Sequence, residues 1–260
     1  MRSFGDSGLE VHILASGSDG NCSVVRGGDT TVMIDAGLSG SRIEHMLCDV
    51  GLDIRQISTI LLTHEHRDHC MGVGILSRRH NIPVAGNEMT LSSCDLGTLG
   101  GMVVFQSSQP FRIGSMIVDP IRISHGAAEP NAFAISAGGR RCLFATDLGT
   151  VTAPISRALA SADLVVLEAN HDTRMLMEGS YPPFLKEMIR SRRGHLSNAD
   201  CARALKATHR DGRKVFLAHL SRENNRPDVA KSTVAGALGC SPNGIDCLVS
   251  PTDSRSILLR

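Results

Sequence analysis

The 260-residue sequence has no apolar run approaching the roughly 20 residues that a membrane-crossing helix requires. Its first residues, with Asp6 and Glu10 before a very short apolar stretch, lack the hydrophobic segment of a secretory leader. A soluble, cytoplasmic protein with no membrane partner is the expectation. Eight cysteines are present, but none forms a C-x-x-C pair, which argues against a zinc ribbon and against a small disulfide scaffold. Reduced thiols, several of them core filler, are expected, with Cys70 beside His69 as the one that stands out. Lysine is scarce, at only Lys186, Lys206, Lys214 and Lys231, and the formal net charge of +1 gives no strongly basic footprint of the kind that announces a nucleic-acid binder. No Pro/Ser-rich or low-complexity stretch divides the chain. With 42% hydrophobic residues it is expected to build a single domain over residues 1–260.

What the chain does have is Thr63-His64-Glu65-His66-Arg67-Asp68-His69, directly after the apolar run Ile60-Leu61-Leu62. Such a run reads as a buried strand, and the segment after it aims three imidazoles and a carboxylate at one spot. That is more than one tetrahedral ion takes from so short a stretch, so the spacing suggests ligands shared between two neighbouring divalent ions. Further donors follow other strand-like runs. His125 comes after the alternating stretch 116–124, Asp147 after Cys142-Leu143-Phe144-Ala145-Thr146, and His219 after Val215-Phe216-Leu217-Ala218. Each alone is also compatible with a turn or cap residue. Together they suit a dinuclear site on the rim of a sheet.

On these residues the sequence resembles the metallo-beta-lactamase superfamily, whose His-x-His-x-Asp-His signature is matched by His64, His66, Asp68 and His69. The resemblance implies an α/β fold, a four-layer αββα sandwich of two mixed sheets. It also implies that one ion is held by His64, His66 and His125, the other by Asp68, His69 and His219, with Asp147 bridging. True beta-lactamases of the fold lack such a bridging aspartate. The match extends to a narrower branch, the YycJ (WalJ) exonuclease-like proteins, through Leu14-Ala15-Ser16-Gly17-Ser18-Asp19-Gly20-Asn21, Glu168-Ala169-Asn170-His171-Asp172, Gly194-His195-Leu196-Ser197-Asn198 and the block from Leu217 to Asn225. Gly126 and Ala132 depart from that branch's pattern, and neither is a ligand position.

Two divalent ions, zinc or manganese with iron also fitting the donor types, imply hydrolysis by a metal-bound hydroxide. A phosphodiester then needs a proton for its leaving oxygen. His195 is the candidate general acid, because Ser197-Asn198-Ala199-Asp200 reads as a helix start just beyond it. A helix N-terminus alone depresses a histidine's pKa, so an acidic partner is required, and Glu168 at the end of Leu164-Val165-Val166-Leu167 is the candidate. The pair resembles the Glu and His that accompany the metals in tRNase Z-type nucleases. Asp68 joins His195 and Glu168 as a candidate catalytic residue, while His171 and Asp172 compete for the His195 and Glu168 roles. His12, His45, His80 and His209 are read as non-catalytic. Arg190, Arg192, Arg193, Arg222 and Arg226 border these segments and suit phosphate, or else form solvated helix ends.

The expected function is a metal-dependent phosphodiesterase acting on nucleic acid, DNA rather than RNA, as a 5' to 3' exonuclease. The alternative is a small-molecule hydrolase of the same fold: a lactonase, thioesterase or cyclic-phosphate phosphodiesterase. Helices are expected over residues 42–50, from just after 69 to about 79, and over 154–161, 181–190, 198–208 and 226–238. The turn at residues 16–21 lacks the Gly-Lys-Ser/Thr ending of a phosphate loop and is expected to join the first two strands.

Overall fold

In the computed structural model, residues 8–248 and 253–260 are described. The alternating N-terminal segment forms an antiparallel meander of β1 (Leu9–Ala15), β2 (Cys22–Gly27) and β3 (Thr30–Ile34). The expected turn over residues 16–21 joins the first two. Successive strand side chains point to opposite faces, so Leu9, Val11 and Ile13 enter one core and Leu14 enters another.

The chain then crosses over through α1 (Gly40–Asp49) to β4 (Thr59–Leu61), continues through α2 (Arg67–Cys70) and α3 (Val73–His80) to β5 (Val84–Gly86), and through α4 (Glu88–Ser93) to β6 (Met102–Val104). From β3 to β6 these strands pair in parallel. The helix expected after His69 is α3, which starts only at Val73, and the short α2 before it already contains His69. Gly72 separates the two, donating its N–H to the Ala36 carbonyl at 2.7 Å, and a Cβ there would meet the Leu38 carbonyl oxygen at 2.3 Å.

A second sheet begins with the antiparallel strands β7 (Phe111–Ile113), β8 (Met116–Arg122), β9 (Asn131–Ala137) and β10 (Arg140–Ala145). After α5 (Ala153–Ser161) comes β11 (Leu164–Glu168), then α6 (Thr173–Glu178), α7 (Pro183–Arg190) and α8 (Asn198–Ala207). Strand β12 (Lys214–Ala218), α9 (Pro227–Leu238), β13 (Ile245–Cys247) and β14 (Arg255–Leu259) complete the order. Strands β10 to β13 are parallel neighbours, and β14 returns to pair with β1 in the first sheet.

Each sheet has seven strands, in the orders β14-β1-β2-β3-β4-β5-β6 and β13-β12-β11-β10-β9-β8-β7. One core lies between them, where Val11, Val32 and Leu61 of the first meet Phe133, Val166 and Phe216 of the second. On the far side of the first sheet, Val24, Met33 and Ile60 pack with Ile43 and Leu47 of α1 and Leu76 of α3. On the far side of the second, Leu143, Val165 and Leu217 pack with Leu159, Leu205 and Val234 of the covering helices. Burial on both faces explains why β11 and β12 read as continuous apolar runs, each fully buried Leu, Val or Phe contributing about 1.5–3 kcal/mol. The layers are helix, sheet, sheet, helix, as expected. Among the described residues no helix is long and apolar enough to cross a membrane, and all eight cysteines are free thiols.

Candidate metal centre

The parallel strands of both sheets end at one edge, which is where open α/β sheets present ligand-binding groups. Asp35 follows β3, His64 follows β4, Asp147 follows β10, Glu168 ends β11 and His219 follows β12. Three of these junction residues have left-handed backbone, with φ of 58° at Asp35, 58° at Asp147 and 54° at His219. Non-glycine residues held there cost on the order of 1–3 kcal/mol each, and such strain concentrates at functional sites.

His64, His66 and His125 form one group of converging donors. His66 Nδ1 lies 3.1 Å from His64 Nε2 and 3.3 Å from His125 Nε2. Ligand nitrogens on a tetrahedral zinc with 2.0–2.1 Å bonds are separated by roughly 3.3–3.4 Å, so this spacing suits a shared cation. Burial, with some repulsion from His69, pulls His64 well below the usual histidine range, and burial likewise lowers His125. In both, burial favours the neutral form that ligation requires.

Asp68, His69 and His219 form a second group, and His64, His69 and Asp147 a third. Asp147 stands between the clusters: one carboxylate oxygen lies 3.2 Å from His69 Nε2, and the other is 3.5 Å from His219 Nε2 and 3.9 Å from His125 Nε2. Here burial acts against charge and loses. It opposes ionisation of Asp147, but His219 and His69 hold that carboxyl well below its usual range. Burial also opposes the charged form of His219, yet Asp147, Asp68 and Glu168 push it up to about 10. At His69, Asp35 and Asp147 outweigh burial and raise the pKa well above the ordinary value. The site is thus a concentration of negative charge that favours cations. His219 Nε2 and Asp147 Oδ2 are buried without a hydrogen-bond partner. Buried polar atoms left in that way are rare, and here both belong to the groups of converging donors. The donor set fits divalent metal.

The outer contacts fix the rings. Asp35 Oδ2 accepts from His69 Nδ1 at 2.7 Å, and Asp35 Oδ1 accepts from the Thr63 N–H at 2.9 Å. Asn21 places its amide nitrogen 3.0 Å from His69 Nε2 and 3.3 Å from Asp68 Oδ2. His125 Nδ1 faces the Gly194 carbonyl at 3.3 Å, which leaves Nε2 for a metal. Carboxylate or carbonyl partners on the far ring nitrogen are what orients a metal-binding imidazole. Sequence reasoning missed Asp35, Thr63 and Asn21. The position of Asp35 at a strand end, like that of Asp147, was the available signal.

Glu168 is fully buried, and one of its oxygens serves two histidines: Oε1 accepts from His195 Nδ1 at 2.8 Å and from His219 Nδ1 at 2.9 Å. Its Oε2 accepts from the backbone N–H of Leu148 and Leu196. Burial alone would raise this carboxyl, but His195 and His219 bring it to about 2. In return Glu168 raises His195 above the ordinary histidine value against the pull of burial. His195 stacks on His219 with ring centroids 5.3 Å apart. It precedes α8, whose N-cap is Ser197, accepting from the Asp200 N–H at 3.1 Å.

The remaining sequence candidates lie elsewhere. Asp172 accepts from the Arg174 and Met175 N–H groups and caps α6, so it does not compete with Glu168. His171 is buried outside the donor groups. His12, His45, His80 and His209 pair with Ser256, Asp49, Glu44 and Asp211, away from the centre. Cys70 donates to the Glu65 carbonyl at 3.2 Å. Arg193 donates to the His125 carbonyl at 3.3 Å, and Ser124 to that of Arg192 at 2.7 Å, so the arginine-rich turn is tied to the rim.

Comparison with known proteins agrees with this geometry. The family described as Beta-lactamase superfamily domain matches residues 30–220. The chain is 36% identical over 236 residues, 89% of each chain, to a protein of Bacillus anthracis named exodeoxyribonuclease YycJ. To exodeoxyribonuclease WalJ of Streptococcus pneumoniae it is 33% identical over 245 residues, 92% of this chain and 91% of the relative. Among solved structures, the metallo-beta-lactamase fold protein YhfI from Bacillus subtilis superimposes with a TM-score of 0.74 at 15% identity, covering 96% of this chain and 100% of that one. With one family match spanning most of the sequence and relatives aligned over nearly all of it, the chain belongs to the metallo-beta-lactamase superfamily, in the family of the YycJ and WalJ proteins, and is a metal-dependent hydrolase.

Proposed function

We propose that the protein is a dinuclear-metal phosphodiesterase that hydrolyses nucleic acid, acting on DNA as a 5' to 3' exonuclease. His64, His66 and His125 would hold one divalent ion and Asp68, His69 and His219 the other, with Asp147 placed between the two donor groups and able to serve both. Zinc and manganese both suit the donors. When bound, such cations neutralise phosphate charge and make a bound water acidic enough to furnish hydroxide near pH 7. The names of the relatives from Bacillus anthracis and Streptococcus pneumoniae, both exodeoxyribonucleases, support the substrate class.

The observation that carries the reading is the Glu168 carboxylate shared by His195 and His219. Ester hydrolysis with a good leaving group needs only the metals, whereas departure of a sugar alkoxide also needs a proton. His195 keeps that proton on an imidazole whose Nδ1 is fixed by Glu168 and whose ring stacks on a ligand histidine. Its remaining nitrogen is then free to donate to the departing oxygen. His195 is accordingly the general acid and Glu168 the positioning residue, fully buried and acting through its neighbours. Arg193 on the rim suits a neighbouring phosphate of the strand.

The test is a nuclease panel with the metal-loaded protein and 5'- and 3'-labelled single- and double-stranded DNA and RNA. Stepwise release of mononucleotides from the 5' end of DNA is expected. Activity confined to lactones or thioesters sinks the reading, and release from the 3' end sinks its polarity.

A further inference from the structure

Helix α7 carries apolar side chains at Phe184, Leu185, Met188 and Ile189, a stripe that a helix ordinarily turns into a core. Here half of it faces outward. Ile189 is buried and Leu185 half-buried, whereas Met188 is 58% exposed and Phe184, at 72%, is the most exposed large apolar side chain among the described residues. Four positions apart, Phe184 and Met188 lie on one face of the helix, a turn of about 5.4 Å from each other. Fraying does not account for their exposure, because α7 is pinned to its surroundings. Lys186 Nζ donates to the carbonyls of Met177 and Gly179 at 2.8 and 2.7 Å, and the Ile189 carbonyl accepts from the His195 N–H at 2.8 Å.

The last of these bonds joins the helix to the metal centre. A Cβ on Gly194 would sit 2.2 Å from both the Met188 and Ile189 carbonyl oxygens, so the turn over residues 191–194 folds tightly on the end of α7. The same turn presents the Gly194 carbonyl to His125 Nδ1 at 3.3 Å and continues into His195. Met188 thus borders the segment that carries the candidate general acid, and Phe184 lies one turn further out.

Charge on this segment is one-sided. Between Tyr181 and His195, Glu187 is the one carboxylate, against Lys186, Arg190, Arg192 and Arg193. Lys186 is occupied by its two carbonyls, Arg190 Nη1 lies 3.4 Å from the Met177 sulfur, and Arg193 Nε donates to the His125 carbonyl at 3.3 Å. Among the described residues none of these three arginines forms an ion pair, and all three are exposed. An exposed aromatic ring beside such guanidinium groups matches a single nucleic-acid strand, whose bases offer flat apolar faces and whose phosphates offer regularly spaced anions. A duplex keeps its bases stacked inside, and an apolar protein partner leaves the arginines without anions. An anionic lipid surface would satisfy both characters, yet it gives no reason for the patch to adjoin His195.

We propose that the exposed edge of α7 is a platform for the single DNA strand next to the scissile phosphate, with a base stacked on Phe184 and flanked by Met188, and phosphates on Arg190 and Arg192. This rests on the nuclease reading and deepens it, because such a platform selects unpaired DNA over duplex.

The experiment is fluorescence anisotropy of the metal-loaded protein with a labelled oligothymidylate of about 12 nucleotides, phosphorothioate-linked to resist cleavage, and with a blunt duplex of the same length. Phe184→Ala/Met188→Ala should weaken single-strand binding at least about fivefold, leave duplex binding unaffected and keep metal content and Tm constant, whereas Phe184→Trp should bind the strand at least as tightly as the parent protein. Arg192→Gln should reduce the steepness of log affinity against log salt by about 0.7, the share of one phosphate contact on a single strand. Single-strand affinity indifferent to F184A/M188A overturns the platform, and the same indifference with lost binding to phosphatidylglycerol vesicles assigns the patch to a lipid surface instead. DNA cleavage with variant-insensitive strand binding overturns the platform and leaves the nuclease reading standing. Variant-sensitive strand binding without cleavage of ordinary DNA does the reverse.

Discussion

Glu168 Oε1 accepts from His195 Nδ1 at 2.8 Å from a position with no solvent exposure, while the His195 side chain is 22% exposed. A buried anion thus anchors a ring that reaches the open site. The same oxygen also holds His219, so the proton donor and a ligand of the metal cluster share one support. Replacing Glu168 by Gln keeps the shape and removes the charge. Because Glu168 raises the His195 pKa, its loss should move the alkaline limb of the rate profile to lower pH. The altered His219 partner should cost about 10–100-fold in metal affinity. A purely structural role for Glu168 predicts lower stability with neither change, which pH–rate profiles and metal titration of E168Q decide.

His195→Ala separates acid catalysis from metal binding. The variant should retain its metal content and lose about 10²–10⁴ in the rate of DNA cleavage. Asp147→Ala, which removes the carboxylate between the two donor groups, should lose metal and activity together. Elemental analysis alongside nuclease assays reads both. A fully active H195A ends the general-acid assignment, and an Asp147→Ala protein with full metal content ends the bridging one.

Much of this site was legible because its residues carry chemistry that stands out after apolar strands. His64, His66, Asp68 and His69 are dense in sequence, and Asp147 and His219 each follow a buried strand of the second sheet. The start of α8 was legible from Ser197 and Asp200, a local signal that needs no tertiary contact. Short helices were not. α4 and α6 have six residues each, too few to establish a period, and depend on the caps Asn87 and Asp172. Asp172 accordingly reads in sequence as a reactive carboxylate when it is a cap. Gly72 ends a helix through contact with residues 36–38, which no local pattern encodes. Asp35 was missed for a similar reason, since its partner His69 is 34 residues away.

Asp35 supplies the next prediction. Its carboxylate fixes His69 from the side opposite the metal-facing nitrogen and also holds the Thr63 N–H and hydroxyl. Asp35→Asn keeps an acceptor but loses the charge, and should lower metal affinity about 10–100-fold. Competition against a chelator of known strength measures this directly. An unchanged affinity would mean that packing alone orients His69.

Removal of metal should also couple stability to pH with a definite sign. In the folded chain His219 is raised to about 10, and His69 is raised well above its ordinary value, by the surrounding carboxylates. A histidine raised on folding stabilises the native state fully below its unfolded pKa of about 6.5, and that contribution disappears as pH rises through the folded value. Chelated protein should therefore lose Tm progressively between about pH 6.5 and 10. Divalent metal competes with the same protons for His69 and His219, so its affinity should rise over that interval and the Tm gained on reloading should grow with it. Thermal melts of chelated and zinc- or manganese-loaded protein at several pH values provide the measurement. A metal-induced shift that is constant or falls from pH 6.5 to 9 contradicts ligation by these two histidines, because a cation bound elsewhere has no proton of theirs to displace.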